Sequence, residues 1–367
     1  MINVFGSLVG EEELAEIKDC IDNQWLGIGP KTTLFEKMMA EKLWLKDFIA
    51  TDNCSNSLYM AVKLLNLPLG SHIIVPTIDW VSAAIAVQLA GCVPIFADVD
   101  YDTANITNET IDMVLTHKVK AVMIMHYAGY PVGKVETNLP VIADCAHSID
   151  STVDGSPLPL LGDIAVLSFN SIKNVACGEL GGICSIHEDI SNRAKDMRYC
   201  GLVKSGLQAS TDKERWWEYE LKEPFIKMLP CDLTASVGIA QLKKLPKLQH
   251  RRKQIWDIYQ QELKNTDWLI RPPNVSNYCK HSYFTYAIRV INGKRDKLAR
   301  YLLDNGIYTT VRYEPLHLYK QFGQVRKHLP VAERLNKELL NLPLHPNLSD
   351  KDLEFVIDKI KGFNNGR

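Results

Sequence analysis

One sequence pattern repeats between about residues 45 and 186: a short apolar run rich in β-branched residues, a polar or glycine turn, and then a helical stretch. Because the apolar character of these runs is largely continuous, they are expected to be strands covered on both faces. Strands that alternate with helices form a mainly parallel, doubly wound α/β sheet with its site at the strand ends. The predicted strands are Asp47–Thr51, His72–Pro76, Pro94–Asp98, Lys120–His126, Pro140–Asp144, Ile164–Phe169 and Gly181–Ile186.

The segment that follows, residues 187–265, is predicted to be mainly helical. It contains a polar insert rich in Trp and Lys, Thr211–Lys222, which is expected to be exposed. Apolar residues at helical spacing predict one long helix over Leu233–Arg252. Pro246 should kink or divide that helix, because proline lacks the backbone N–H and clashes with the preceding turn.

A second, smaller α+β domain is indicated where the composition shifts to Pro, Asn and Asp, at Thr266–Asn277. The chain of 367 residues is long enough for two domains. We predict an N-terminal segment over 1–25, a large domain over 26–250 and a small domain over 251–367. In the small domain the predicted elements are a half-buried strand Tyr283–Val290, a helix Arg295–Asn305, a strand Tyr308–Arg312 and a helix Asp350–Ile360.

Charge and composition exclude several classes of protein. The net charge is -1, so no electrostatic field attracts nucleic acid or an anionic membrane. The first residues lack a signal-peptide pattern, and no apolar stretch is long enough to span a bilayer. We therefore expect a cytoplasmic protein.

The cysteines and histidines give no sign of a metal site. Nine cysteines are scattered with no C-x-x-C pair, and the ten histidines show no ligand spacing. Cys145, Cys177 and Cys184 lie in apolar segments and are expected to be small core residues rather than nucleophiles. We expect no metal.

Two strand ends carry residues suited to amine chemistry. Lys173 follows the run Ser168-Phe169-Asn170 and precedes a glycine-rich stretch, and a partly buried lysine without a carboxylate partner is a Schiff-base nucleophile. Asp144 closes a buried strand, where a carboxylate is costly unless it is paired. A protonated pyridine nitrogen is one such partner. From these segments alone, a solvated loop lysine and an ordinary strand-end aspartate remain equally good explanations.

Two other strand ends are followed by a turn that could bind a phosphate and by an aromatic residue. Ser55-Asn56-Ser57 precede an apolar helix, where such residues cap the helix or offer N–H groups to a phosphate. Trp80 could stack on an aromatic ring or fill the core. The doubly wound sheet would gather these residues with Ser168 and Lys173 along one edge. A nicotinamide dehydrogenase is excluded, because Gly27-Ile28-Gly29 precedes the first strand instead of following one.

The chain resembles the DegT/DnrJ/EryC1/StrS family of pyridoxal-phosphate sugar aminotransferases, a branch of the aspartate-aminotransferase fold (fold type I). The similarity runs nearly end to end and is carried by motifs in a fixed order. These are Leu26-Gly27-Ile28-Gly29-Pro30, Ile74-Val75-Pro76-Thr77-Ile78-Asp79-Trp80, Ala97-Asp98-Val99-Asp100, Asp144-Cys145-Ala146-His147, the segment Ser168 to Gly182, Gly238-Ile239-Ala240-Gln241-Leu242, Pro315-Leu316-His317 and Leu342-Pro343-Leu344-His345-Pro346.

The resemblance implies a role for each matching position. Lys173 would be the Schiff-base lysine, Asp144 the partner of the pyridine nitrogen and Trp80 the residue stacked on the ring. The remaining implied roles are as follows: Ser168 with Ser55, Asn56 and Ser57 at the cofactor phosphate, His147 near the cofactor's 3′ oxygen, Lys227 at the phosphate of the partner subunit in a homodimer, and Tyr313 and His317 in the sugar pocket.

Two departures from the family pattern accompany these roles. Cys54-Ser55 replaces the usual Gly-Thr of the phosphate turn, and Leu180 stands in a segment that is usually Gly-Glu-Gly-Gly. Some relatives have histidine in place of the lysine and are dehydratases, so the presence of Lys173 favours transamination.

The resemblance also implies the substrates. The donor is expected to be L-glutamate and the acceptor a nucleotide-linked keto sugar. His147, where many members carry glutamine, favours C4 of a 4-keto-6-deoxyhexose. A C3 keto sugar, a keto-cyclitol, a sugar dehydratase, a desulfurase-like lyase and a non-catalytic cofactor-binding protein are the alternatives.

Overall fold

The computed structural model describes residues 1–203, 217–322 and 328–363, and it confirms the predicted α/β fold built on a mainly parallel sheet. In the described part, seven strands form the central sheet: β1 (Ile49–Thr51), β2 (His72–Pro76), β3 (Val93–Ala97), β4 (Val119–Met125), β5 (Val141–Asp144), β8 (Ile164–Ser168) and β9 (Gly181–Ser185). Their order in the sheet is β1-β9-β8-β5-β4-β2-β3. All pairs are parallel except those that β9 makes with β8 and β1.

The continuous apolar runs are explained by burial on both faces of this sheet. In β2, Ile73 and Val75 belong to one apolar cluster and Ile74 to another on the opposite face. All three side chains are fully buried. The helices of this part of the chain are α1 (Glu11–Asp22), α2 (Pro30–Leu43), α3 (Cys54–Leu64), α4 (Val81–Leu89), α5 (Asn108–Asp112), α6 (Glu188–Arg198) and α7 (Asp232–Glu262).

A second sheet, antiparallel, lies in the C-terminal part and has its own core. The remaining elements are β6 (Thr152–Val153), β7 (Ser156–Pro157), β10 (Leu269–Ile270), β11 (Cys279–Lys280), β12 (Tyr286–Val290), α8 (Arg295–Asp304), α9 (Pro330–Glu338), β13 (Leu339–Leu342) and α10 (Asp350–Lys361). The order of the antiparallel sheet is β10-β12-β13, and its core includes Ile255 and Tyr259 of α7. A short three-stranded sheet has the order β11-β6-β7.

Two strand predictions in this part need correction. The strand predicted over Tyr283–Val290 begins at Tyr286 and is buried throughout, because β12 lies between β10 and β13. The strand predicted over Tyr308–Arg312 is wrong, since Thr310 makes only an isolated bridge to Asn341. There the N–H of Arg312 donates to the side-chain oxygen of Asn341 instead of extending a ladder.

The long predicted helix is longer than expected. α7 runs through Pro246 without a break, so the expectation of a division there is wrong. Leu245 and Leu248 are buried on either side of the proline, and that packing holds the helix together. The predicted domain boundary at residue 250 falls within α7 and stays a prediction.

The polar insert Thr211–Lys222 falls only partly within the described residues. Its first part, up to residue 216, lies outside them, while residues 217–222 are all exposed, as predicted. Among the described helices, none combines the length and apolar character needed to cross a membrane.

Candidate active site

The carboxyl ends of four parallel strands, β1, β2, β5 and β8, meet at a cavity of about 550 Å³. Each of these strands is followed by a residue that lines the cavity, because side chains just past the ends of parallel strands lie at the same edge of the sheet. The lining residues are Asn53, Cys54, Ser55, Leu58, Asp79, Trp80, Ser82, Met125, Asp144, Ala146, His147, Ser168, Asn170, Ile172, Lys173, Glu179, Thr310, Val311, Arg312 and Tyr313.

Lys173 lies in the connection between β8 and β9, which is held by backbone hydrogen bonds such as Lys173 N–H to the Asn170 carbonyl, 2.8 Å. Its ammonium lies 4.8 Å from the centroid of the Phe284 ring and makes no ion pair or hydrogen bond with any described residue. Burial lowers the pKa of Lys173 to about 8, and the positive charge of Arg312 acts in the same direction. Part of the amine is therefore neutral near physiological pH, and the neutral amine is the form that acts as a nucleophile.

Two buried carboxyl groups lie in the same cavity. Asp144, at the end of β5, is 3% exposed, and its Oδ1 accepts the Ala146 N–H at 2.8 Å. Asp79, which follows β2, is 1% exposed, and its Oδ1 accepts the Trp80 N–H at 2.6 Å. Its Oδ2 has no partner among the described residues. Burial raises the pKa of both groups, and the charge of Asp144 raises that of Asp79 further.

His147 belongs to a hydrogen-bonded chain that ends in the cavity. Burial, with the charges of Lys173 and Arg312, lowers the pKa of His147 well below its usual value, so the ring is neutral. The ring stacks on Phe284 with centroids 3.9 Å apart, and its Nε2 lies 3.1 Å from the Tyr313 hydroxyl. That hydroxyl accepts a hydrogen bond from Arg312 Nη1, 3.0 Å, so we assign it as the donor to Nε2. The proton of neutral His147 is then on Nδ1, which is buried and has no partner among the described residues.

The turn between β1 and α3 presents backbone N–H groups to the cavity. The Asn53 side chain caps α3 by accepting the Asn56 N–H at 2.9 Å. The first N–H groups of the helix, those of Cys54 and Ser55, have no partner within the helix. Such a turn is a site for an anion such as a phosphate. β9 passes close beneath it: a Cβ on Gly181 would lie 2.3 Å from the carbonyl carbon of Asn53.

Comparison with known proteins gives a match over almost the whole chain. The sequence model of the DegT/DnrJ/EryC1/StrS aminotransferase family matches residues 8–361. The chain belongs to this family. It is a sugar aminotransferase of the family, and the resemblance described from the sequence is confirmed.

The relatives extend over the full length of the chain. A Saccharopolyspora spinosa protein, dTDP-4-dehydro-2,3,6-trideoxy-D-glucose 4-aminotransferase, is 32% identical over 98% of this chain and 96% of the relative. The crystal structure of the aminotransferase TlmJ from Streptoalloteichus hindustanus has a TM-score of 0.93 and 36% identity over 98% of each chain. The PMP-form of Spr1654 from Streptococcus pneumoniae has the same fold, with a TM-score of 0.91 and 23% identity over 98% of each chain.

In this family member the cavity gathers most of the residues predicted from the sequence. Lys173, Asp144, His147, Ser168, Ser55, Trp80 and Tyr313 all line it. Trp80 is 54% exposed, and its ring lies 5.7 Å from that of Tyr313.

Four predicted residues do not line the cavity. Asn56 donates its amide to the Asp52 carboxylate, and the Ser57 hydroxyl lies 2.6 Å from that of Thr51, so both side chains are used within the turn. The other two lie elsewhere. His317 is hydrogen-bonded to Thr77, with 2.7 Å between Nδ1 and Oγ1, and Lys227 is exposed.

Two residues that line the cavity, Asp79 and Arg312, were not predicted, nor was Phe284, which packs against Lys173 and His147. Asp79 lies in the motif quoted for the family and follows β2, so the strand-end rule gave a signal that could have found it. Arg312 and Phe284 come from the C-terminal part of the chain, outside any strand of the central sheet. The sequence pattern contained no signal for them.

Proposed function

We propose that this aminotransferase uses pyridoxal phosphate to move an amino group from L-glutamate to a nucleotide-linked keto sugar, acting as a cytoplasmic homodimer. The observation that carries the proposal is the lysine of lowered pKa, Lys173, in the same cavity as the buried carboxyl group of Asp144. A free amine and a carboxyl group that lacks a cationic partner are the two groups that a pyridoxal cofactor needs.

The residues present fit the cofactor. A buried carboxylate is costly unless a cation pairs with it, and the protonated ring nitrogen of the cofactor would supply that cation to Asp144. The N–H groups of Cys54 and Ser55, with Ser168, would hold the phosphate. The free Nδ1–H of His147 would donate to the 3′ oxygen, and Trp80 would cover one face of the ring.

When bound, pyridoxal phosphate supplies an electron sink for the electron pair that is left when the donor loses its α-proton. Lys173 Nζ would take that proton and return it, and its lowered pKa suits a general base near neutral pH. Asp144 would keep the ring nitrogen protonated, while the Ala146 N–H fixes the direction of the carboxylate. Tyr313 would fix the His147 ring by its hydrogen bond.

For the acceptor we propose a 4-keto-6-deoxyhexose. The presence of His147, where many members of the family carry glutamine, favours amination at C4. The Saccharopolyspora spinosa relative is named as a 4-aminotransferase, and it covers nearly the whole chain at 32% identity. A C3 keto sugar or a keto-cyclitol is the alternative acceptor. A dehydratase is disfavoured, because the lysine that dehydratase relatives replace by histidine is present as Lys173.

A panel of acceptors tests this proposal. The pyridoxal-phosphate-loaded enzyme is incubated with L-glutamate and, in turn, a nucleotide-linked 4-keto-6-deoxyhexose, its 3-keto isomer and a keto-cyclitol. We expect 2-oxoglutarate and the amino sugar to form fastest with the 4-keto sugar. A faster reaction with the 3-keto isomer overturns the C4 assignment, and loss of water without amino transfer supports the dehydratase instead.

A further inference from the structure

One cationic side chain of the cavity has been given no ligand in the mechanism above. Among the described residues that line the cavity, Lys173 and Arg312 are the only lysine and arginine. Lys173 is the proposed nucleophile, so Arg312 is the one permanent cation on this surface. A cation that lies in a substrate cavity without a carboxylate partner is a natural site for an anion.

The guanidinium of Arg312 is held by two contacts and keeps unused donors. It packs over the Phe5 ring, 4.1 Å from the centroid, and Nη1 donates to the Tyr313 hydroxyl. Nε is buried and has no partner among the described residues. The side chain lines the cavity and has N–H groups left to donate, and guanidinium N–H groups match the oxygens of a carboxylate.

The position of Arg312 identifies which anion it can reach. Its guanidinium carbon lies 5.6 Å from the centroid of the Phe284 ring, and Lys173 Nζ lies 4.8 Å from the same centroid. The guanidinium and the reacting amine thus lie around the same ring, and the charge of Arg312 lowers the pKa of Lys173. The turn at Cys54 and Ser55 already offers a site for the cofactor phosphate, so Arg312 is free for a different anion.

We propose that Arg312 binds the α-carboxylate of the amino-group donor. This inference rests on the proposed function and adds to it the contact that recognises an α-amino acid. In an α-amino acid the carboxylate is attached to the carbon that carries the amino group, so it must lie next to Lys173 when that amino group reacts. The phosphates of a nucleotide-linked sugar are separated from the ketone carbon by the sugar ring, so a cation beside the amine does not suit them.

The test compares two donors that differ in this one group. The pyridoxal-phosphate-loaded enzyme is mixed with L-glutamate or with 4-aminobutyrate, which lacks the α-carboxylate but keeps the other one. Single-turnover changes in the cofactor absorbance give kcat/KM for each donor. In Arg312→Gln we expect the value for L-glutamate to fall about 10- to 100-fold, as for a lost charge-assisted hydrogen bond, with little change for 4-aminobutyrate.

A binding measurement separates recognition from turnover. Calorimetry with α-methyl-L-glutamate, which has no α-proton to lose, is expected to show weaker binding by a similar factor in Arg312→Gln. Arg312→Lys keeps the positive charge but loses the planar set of guanidinium N–H donors, so its affinity for this ligand should be intermediate. Arg334→Gln is the matched control, since Arg334 also stacks on an aromatic ring, that of Tyr101 at 4.1 Å, but lies outside the cavity.

Two results would overturn the inference. One is an equal loss with both donors, which indicates that Arg312 only supports the structure. The other is an unchanged preference for L-glutamate. If the unaltered enzyme does not react with L-glutamate, the proposed donor is wrong, and the same comparison with L-alanine and ethylamine still tests Arg312.

Discussion

Burial moves several side chains of the cavity toward their neutral forms. Desolvation lowers the pKa of Lys173 and His147 and raises that of Asp79 and Asp144, and in each case it is the largest cause. The effect follows from the high free energy of a charge in a poorly solvated site. The cavity therefore presents an amine, an imidazole and two carboxyl groups that can act as proton donors and acceptors.

The pKa of Lys173 predicts how capture of the cofactor depends on pH. The attacking form is the neutral amine, and a pKa of about 8 means that this form is minor below pH 8 and dominant above it. We expect the rate at which the apoprotein binds pyridoxal phosphate covalently, followed by absorbance, to rise with pH through about 8 and then level off.

Lys173→Ala and Lys173→Arg are the controls for this profile. Both are expected to lack the absorbance of the lysine-bound cofactor and all turnover, because neither side chain can attack the aldehyde. Full activity in either variant would rule out Lys173. A rate that still rises steeply between pH 9 and pH 10 would contradict the lowered pKa, since an unperturbed lysine titrates near 10.4.

At the level of secondary structure, the strands of the central sheet were predictable and part of the C-terminal region was not. Strands such as β2 and β8 are marked by continuous apolar runs, which burial on both faces requires. The segment Tyr308–Arg312 is rich in β-branched residues, yet Thr310 alone pairs with the Asn341 backbone and the Arg312 N–H donates to the Asn341 side chain, and no local pattern encodes that arrangement.

Some residues of the candidate site could likewise be predicted from the sequence, and others could not. The residues at strand ends, such as Asp144 and Lys173, could be predicted because the topology of the sheet places them together. Arg312 lines the cavity, and Phe284 packs against Lys173 and His147, only because the C-terminal part packs against the sheet. That packing is a long-range contact, and sequence periodicity does not report it.

The close approach of β9 to the turn before α3 leads to a prediction about Gly181. In Gly181→Ala the new methyl group would lie 2.3 Å from the carbonyl carbon of Asn53 and 2.4 Å from the Cys54 nitrogen, so the turn must move. We expect weaker binding of pyridoxal phosphate and a free energy of unfolding lower by about 1–3 kcal/mol. Fluorescence titration and thermal unfolding measure the two effects.

Gly133→Ala is the matched control, because a Cβ at Gly133 meets nothing within 4 Å. This variant should bind the cofactor as the unaltered protein does. Unchanged cofactor affinity in Gly181→Ala, despite reduced stability, would count against the phosphate site proposed at this turn.

At the scale of the whole molecule, Lys227 is predicted to link the site to the partner subunit of the proposed homodimer. It is exposed and does not line the cavity of its own chain. The next residue is fixed in place, since the Met228 carbonyl accepts the Asp52 N–H at 3.1 Å. Symmetry requires that a side chain which reaches the partner's cavity in one direction does so in the other.

Mixed dimers test whether Lys227 acts across the interface. Lys173→Ala and Lys227→Ala subunits are co-expressed with different tags, and the mixed dimer is isolated and assayed at limiting pyridoxal phosphate. If Lys227 serves the partner, one cavity of the mixed dimer has both lysines, and activity should exceed that of either parent dimer. Activity no higher than that of the parents would mean that Lys227 acts in its own subunit or not at all.

The position of the Phe284 ring has a consequence for the stability of the protein on storage and in the cell. This one side chain from the C-terminal part contacts Lys173, His147 and Arg312. A cofactor and donor that engage the same three groups would tie the C-terminal part to the central sheet, so ligand binding and folding would be thermodynamically linked. The loaded enzyme would then resist proteases and storage better than the apoprotein, and cellular supply of the vitamin-derived cofactor would influence its abundance.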